Sequence, residues 1–224
     1  MRSLKIVFMG TPDFAVASLE SILNANYNVV GVITAPDKPA GRGRKLQESP
    51  VKKFAVSKGL KVLQPTNLKD QTFIEELKAL EPNVQVVVAF RMLPKVVWDL
   101  PKFGTFNLHA SLLPQYRGAA PINWAIINNE TKTGVSTFFL DEKIDTGAMI
   151  LQKEIDIAPE ESVGELHDKL LELGSGLVVE TLELIENGNL TPTPQPFNEI
   201  LKDAPKLNRE NTKINWDDSL DQIY

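Results

Sequence analysis

Residues 84–90, Val84-Gln85-Val86-Val87-Val88-Ala89-Phe90, constrain the fold more than any other stretch. This apolar run has the length of one strand, and such a run suits a parallel strand covered by helices on both faces. The rest of the chain agrees. Residues 5–9 form a second apolar run, closed by Gly10 and followed by Thr11-Pro12-Asp13 and the amphipathic 14–23. That order reads as strand, tight turn and helix, with Thr11 as N-cap and Pro12 at the first helical position. Residues 27–34 complete a βαβ start. Helices are expected at 50–58, 72–80, 93–98 and 118–128, the last entered through Pro121. Strands are expected at 60–63, from Phe106 onward, and at 134–140 and 148–157. Residues 162–186 are helical in pattern, with Gly174 and Gly176 marking a break. Strands alternating with helices predict a three-layer α/β domain with a mainly parallel sheet.

Open sheets of this kind place their sites beyond the carboxyl ends of the strands, and the loops at 10–13, 90–93, 107–114 and 141–147 are assigned there. The first is no dinucleotide fingerprint: Gly10-Thr11-Pro12-Asp13-Phe14-Ala15 has only the first glycine of G-x-G-x-x-G. The third carries chemistry. Asn107 and His109 are two residues apart, so on an extended strand both side chains leave the same face. An amide NH2 can donate to a carbonyl oxygen as it becomes an oxyanion, and an imidazole can move a proton near neutral pH. Acyl transfer to an amine needs both. Asp145, in a Gly-containing turn between two apolar runs, is the carboxylate that a loop could return to His109.

A histidine near a strand end is more often structural than catalytic, and His167, among Glu165, Asp168 and Lys169, is read that way. Asp141 and Glu142 are read as solvated turn carboxylates rather than a glycosidase pair. Phe138, Phe139 and Trp124 are expected to pack the core.

Composition removes several alternatives. Of 224 residues, 42% are hydrophobic, enough for one large domain with a small appendage. No run is apolar enough to span a bilayer, and Met1-Arg2-Ser3-Leu4-Lys5 leads directly into a strand without a signal peptide, so a cytoplasmic protein is expected. There is no cysteine, and the two histidines have no metal-ligand spacing, so catalysis is expected to use neither thiolate nor metal. The net charge of −5 is uneven: residues 36–61 hold eight basic and two acidic side chains, leaving that window at +6 and the remainder at −11. The Pro- and Gly-rich segment 35–45, which overlaps that window, reads as a loop. A basic island on an acidic body can dock a polyanion or be a solvated face.

Phe106-Asn107-Leu108-His109-Ala110-Ser111-Leu112-Leu113-Pro114, taken with Ile144-Asp145-Thr146-Gly147, resembles the active site of the 10-formyltetrahydrofolate-dependent formyltransferases. Within that family, Gly10-Thr11-Pro12-Asp13-Phe14-Ala15, Pro36-Asp37-Lys38-Pro39-Ala40-Gly41-Arg42-Gly43 and Tyr116-Arg117-Gly118-Ala119-Ala120-Pro121-Ile122 are similar to the members that formylate methionyl-tRNA. The likeness runs in order through nearly the whole chain.

The resemblance implies a Rossmann-like catalytic domain over residues 1–190, with Asn107, His109 and Asp145 as its catalytic residues. It implies 10-formyltetrahydrofolate as co-substrate, held around Phe90, Arg91, Met92, Leu93, Ser111, Leu112, Leu113, Pro114, Leu140 and Asp141. It implies initiator methionyl-tRNA as acceptor, engaged by Arg42 with Lys38, Arg44 and Lys45. No metal, no membrane and a monomeric state are expected. Residues 191–224 read as a proline-rich linker and a polar tail with anchors at Ile214, Trp216 and Ile223, leading toward the family's C-terminal β-barrel domain, which is not in the sequence. An amino-sugar formyltransferase using the same triad, and a nonenzymatic folate- or RNA-binding module, are the competing readings.

Overall fold

A computed structural model describes residues 3–40, 45–196 and 200–220. In chain order the elements are β1 (Lys5–Gly10), α1 (Asp13–Asn24), β2 (Asn28–Ile33), β3 (Lys38–Ala40), β4 (Lys45–Gln47), α2 (Pro50–Ser57), β5 (Val62–Leu63), α3 (Gln71–Ala79), β6 (Val84–Val88) and α4 (Lys95–Trp98). They continue with β7 (Thr105–His109), β8 (Arg117–Gly118), α5 (Pro121–Ile127), β9 (Lys132–Phe139), β10 (Met149–Asp156), α6 (Val163–Glu186) and β11 (Asp203–Ala204). A seven-stranded sheet has the order β10-β9-β7-β6-β1-β2-β5. The five strands from β5 to β7 are parallel, and β9 pairs antiparallel with both β7 and β10.

Alternation along the central strands divides the interior in two. Ile6 and Phe8 of β1, with Val84, Val86 and Val88 of β6, enter one core beneath α1, α2, α5 and α6. Val7, Met9 and Val87 enter the other with Phe73, Ile74 and Leu77 of α3 and Val97 of α4. Both faces of the sheet are therefore covered, forming the three-layer α/β arrangement expected of a buried parallel strand. Gln85, the polar residue in the run, is fully buried, and its Oε1 accepts from the Thr105 hydroxyl at 3.0 Å.

Several local expectations change. Pro12, not Thr11, is the N-cap of α1, and no side chain caps that helix. The basic segment is not simply a loop, because β3 and β4 pair as an antiparallel hairpin around it. Helix α6 runs unbroken for 24 residues despite Gly174 and Gly176, starting from a capping box between Ser162 and Glu165. Gly174 serves packing: a Cβ there would lie 2.9 Å from a Leu108 methyl, so its absence lets the helix approach β7. Trp124 is only half-buried, and its indole N–H donates to the Pro205 carbonyl at 2.7 Å. Of the expected anchors, Ile214 and Trp216 are 47% and 77% exposed, and Ile223 lies outside the described residues. Among the described residues no helix is long and apolar enough to cross a membrane.

Candidate active site

Strand β7 supplies the central pair. Phe106 and Leu108 turn into the core beneath α6, so Asn107 and His109 turn to the opposite face, where they line a cleft of about 880 Å³. That volume is ample for a small-molecule ligand. The walls combine apolar side chains such as Phe90, Leu93, Trp98 and Leu140 with polar and charged ones from Arg91, Lys95, Asn123 and the 141–145 segment.

The imidazole of His109 is only 6% exposed, with a partner near each ring nitrogen. Nε2 lies 2.8 Å from the Tyr116 carbonyl oxygen. A carbonyl can only accept, so this contact places the neutral ring's hydrogen on Nε2 and leaves the lone pair on Nδ1. Asp145 Oδ2 lies 3.8 Å from Nδ1 and accepts the Gly118 backbone N–H at 2.9 Å. Among the described residues the Asn107 side chain has no hydrogen-bond partner, and it borders the same cleft.

Asp145 does not arrive from a carboxyl-terminal loop. Strand β9 runs antiparallel to β7, pairing Phe139 with Phe106 and Ser136 with His109. The loop at 141–147 therefore leaves the sheet near the amino-terminal end of β7 and must run back along it, about 10 Å over three residues, to reach His109. Three features shape that path. Asp145 adopts a left-handed φ of 54°. The Asp141 carboxylate accepts from the Thr146 hydroxyl and the Lys143 N–H, closing the loop on itself. Gln195 donates to the carbonyls of Asp145 and Gly147 at 3.0 and 2.8 Å.

Tyr116 is held as firmly as the carbonyl it presents. Its φ is 60°, its N–H donates to the Lys202 carbonyl, and its hydroxyl meets Glu130 and Asn128. Burial first, and then the Glu130 carboxylate, push the phenol above its ordinary range.

Of the residues expected at the folate, Phe90, Arg91, Met92, Leu93, Leu140 and Asp141 line the cleft. Ser111, Leu112, Leu113 and Pro114 are not among the lining residues. Ser111 Oγ donates to the Gln115 carbonyl, and the Leu113 N–H donates to the Ser136 hydroxyl, so this turn carries the chain from β7 to Tyr116. His167, expected to be structural or at the surface, lines the cleft edge-on to Phe14, with ring centroids 5.4 Å apart. Lys38 is exposed on β3 and Lys45 opens β4, while Arg42 and Arg44 lie outside the described residues. Among the described residues no group of three or more His, Cys, Asp or Glu side chains could hold a metal ion.

Sequence reasoning missed three elements: the Tyr116 carbonyl, the Gly118 N–H and Gln195. The first two are backbone groups that no residue type announces. Gln195 left a faint signal, being the only side chain in Thr193-Pro194-Gln195-Pro196 able to donate and accept several hydrogen bonds at once.

Comparison with known proteins bears on this geometry. Residues 4–182 match the family described as Formyl transferase. Over its full length the chain is 65% identical to a methionyl-tRNA formyltransferase from Flavobacterium johnsoniae, covering 71% of that protein. It is 54% identical to one from Bacteroides fragilis, covering 70%. Among solved structures it is similar to WlaRD, a sugar 3N-formyl transferase crystallised in the presence of dTDP and 5-N-formyl-THF, with a TM-score of 0.71 and 25% identity, covering 98% of this chain and 76% of that one. It also resembles an N-formyltransferase from Helicobacter canadensis in complex with folinic acid and dTDP-3-aminofucose, with a TM-score of 0.72 and 26% identity, covering 98% and 78% of the two chains.

Proposed function

Because the chain belongs to the methionyl-tRNA formyltransferases, we propose that it moves the formyl group of 10-formyltetrahydrofolate onto the α-amine of methionyl-tRNA. The observation that carries the chemistry is the setting of His109. Its Nε2–H is committed to the Tyr116 carbonyl and its Nδ1 faces the Asp145 carboxylate, beside the amide of Asn107, which has no hydrogen-bond partner among the described residues.

In this reading Asn107 Nδ2 donates to the formyl oxygen as negative charge develops on it. His109 Nδ1, the ring position left with a lone pair, takes the proton that the attacking amine loses and delivers it to N10 of the folate as the old C–N bond breaks. Asp145 stabilises the imidazolium between those steps. The 3.8 Å separation of Nδ1 and Oδ2 is longer than a hydrogen bond, and contacts of this kind tighten when substrates fill the site. The folate lies against Phe90, Leu93 and Leu140, whose apolar walls suit a flat heterocycle. All three catalytic side chains come from one chain, so a single copy suffices.

The acceptor stem of the tRNA is assigned to the hairpin that bears Lys38 and Lys45 and to Arg42 and Arg44. The catalytic unit is proposed to extend past residue 190, since Gln195 is buried against the site and β11 pairs with β8.

Formylation of a nucleotide-linked amino sugar is the second reading, favoured by two structural neighbours, one a sugar 3N-formyl transferase and the other an N-formyltransferase in complex with dTDP-3-aminofucose. An assay with a labelled formyl donor, offering charged initiator tRNA and a dTDP-amino sugar in the same mixture, separates the two. Label on the tRNA is expected; label only on the sugar overturns the proposal.

A further inference from the structure

We infer that Gln195 is a positioning residue for this site, an inference that rests on the proposed formyl transfer for its kinetic arm but not for its spectroscopic one. Gln195 lies far from the site in sequence, between two prolines, yet is only 2% exposed. An amide buried so deeply costs free energy unless its hydrogen-bonding capacity is met. Here it is met in full. Both N–H donors are used, on the Asp145 carbonyl at 3.0 Å and the Gly147 carbonyl at 2.8 Å. The Oε1 acceptor takes Arg117 Nε at 3.2 Å and Nη2 at 2.6 Å.

The partners explain the placement. Arg117 stands between Tyr116, whose carbonyl holds His109 Nε2, and Gly118, whose N–H holds Asp145 Oδ2. Asp145 and Gly147 belong to the segment that brings the carboxylate to His109 Nδ1. Gln195 is thus a strut joining the two segments that grip opposite sides of one imidazole. It is itself held by the neighbouring Thr193, which exchanges backbone hydrogen bonds with Met149 at the start of β10.

The segment it restrains is not at rest by itself. Asp145 sits at a φ of 54°, which costs free energy for a non-glycine residue unless surrounding contacts enforce it. Two donated hydrogen bonds on either side of Thr146 supply that enforcement. Side-chain length matters as well: asparagine, one methylene shorter, cannot reach both carbonyls and Arg117 from the same backbone. Glutamate could still accept from Arg117 but would present oxygen to two carbonyl oxygens.

The test uses the full chain with Gln195→Ala and Gln195→Glu, the second preserving volume and the Arg117 contact in case the first folds poorly. A displacement of about 1 Å at Asp145 predicts a fall in kcat on the order of 10²-fold, with KM for the folate changed by less than about threefold. The chain has only two histidines, so the ¹⁵N imidazole spectrum of His109 can be assigned and read without substrate. It is expected to report one fixed tautomer in the parent and a mixture in both variants. If the parent does not formylate tRNA, the proposed function fails, while the spectrum still decides the role of Gln195. An unchanged His109 spectrum in a folded variant overturns the inference. So does a loss of activity that tracks only the folded fraction, counted by folate-binding stoichiometry.

Discussion

Gly147 is pressed so closely against the Phe139 carbonyl that a Cβ built on it would lie 1.7 Å from that oxygen. Backbone meets backbone there, so no rotamer change can relieve the contact. Gly147→Ala must displace the loop that carries Asp145, two residues away. We expect it to destabilise the fold by about 1–3 kcal/mol and to lower kcat by about 10²-fold. Paired thermal melts and steady-state kinetics check both, and an alanine variant with parental kcat would show that the loop's path is unimportant.

The roles given to Asn107 and His109 differ in what their loss should leave behind. Asn107→Ala removes an oxyanion donor, for a loss of about 10²- to 10³-fold in kcat. His109→Ala removes the proton carrier, for about 10²- to 10⁴-fold. In neither variant should the folate Kd move by more than a few fold, because Phe90, Leu93 and Leu140 still wall the cleft. Turnover near the parental rate in both variants would remove the mechanism.

Two of the three glycines in helix α6, Gly174 and Gly176, carry opposite expectations. Nothing lies within 4 Å of a Cβ placed on Gly176, so Gly176→Ala should stabilise by up to about 1 kcal/mol through helix propensity. Gly174→Val meets Leu108 and Val135 and should destabilise by about 1–3 kcal/mol through overpacking. Leu108 lies between Asn107 and His109, so the valine variant should also slow turnover. Denaturant titration with unchanged m-values distinguishes these effects from changes in the unfolded state.

The cluster of Tyr116, Glu130 and Lys202 sets a pH window for stability. Burial pulls the Glu130 carboxyl upward, but hydrogen bonds from Lys202 and Tyr116 outweigh it and hold the group below its ordinary value of 4.5. A depressed carboxyl contributes stability that is present above pH 4.5 and is lost as pH falls through the folded-state value. The Tyr116 phenol is raised by burial and by Glu130, so its contribution is complete below its ordinary value of 10.0 and is lost as pH rises through the raised one. Lys202, raised chiefly by its hydrogen bond to Glu130, follows the same alkaline sign. Tm measured against pH should therefore fall at both ends. Glu130→Gln should flatten the acid limb and also weaken the alkaline one, because Glu130 raises both Lys202 and Tyr116, whereas Tyr116→Phe should reduce the alkaline limb.

Charge in the basic segment 36–45 should appear in tRNA binding alone. Lys38→Ala and Arg42→Ala are each expected to weaken tRNA binding and to reduce the slope of log affinity against log salt by about one, while folate binding stays parental. An unchanged slope would place the tRNA elsewhere.

Much of this protein was determined by sequence alone, because local periodicity dictates it. An apolar run of strand length at 84–90 demanded helices on both faces, and it received them in the two cores of β6. The spacing of Asn107 and His109 put both on one side of β7, since side chains on a strand alternate whatever the surroundings. The tertiary structure decided what depends on direction and on distant backbone. The antiparallel course of β9 sends Asp145 back along β7 from that strand's amino-terminal end, and no residue pattern states the direction in which a strand will run. Packing against Leu108 turned Gly174 from an expected break into a point of close approach. Partners such as the Tyr116 carbonyl and the Gly118 N–H belong to every residue alike, so only the folded chain selects the ones that grip His109 and Asp145. Gln195 belongs with them, because a buried amide acquires its role from four distant partner atoms that only folding brings together.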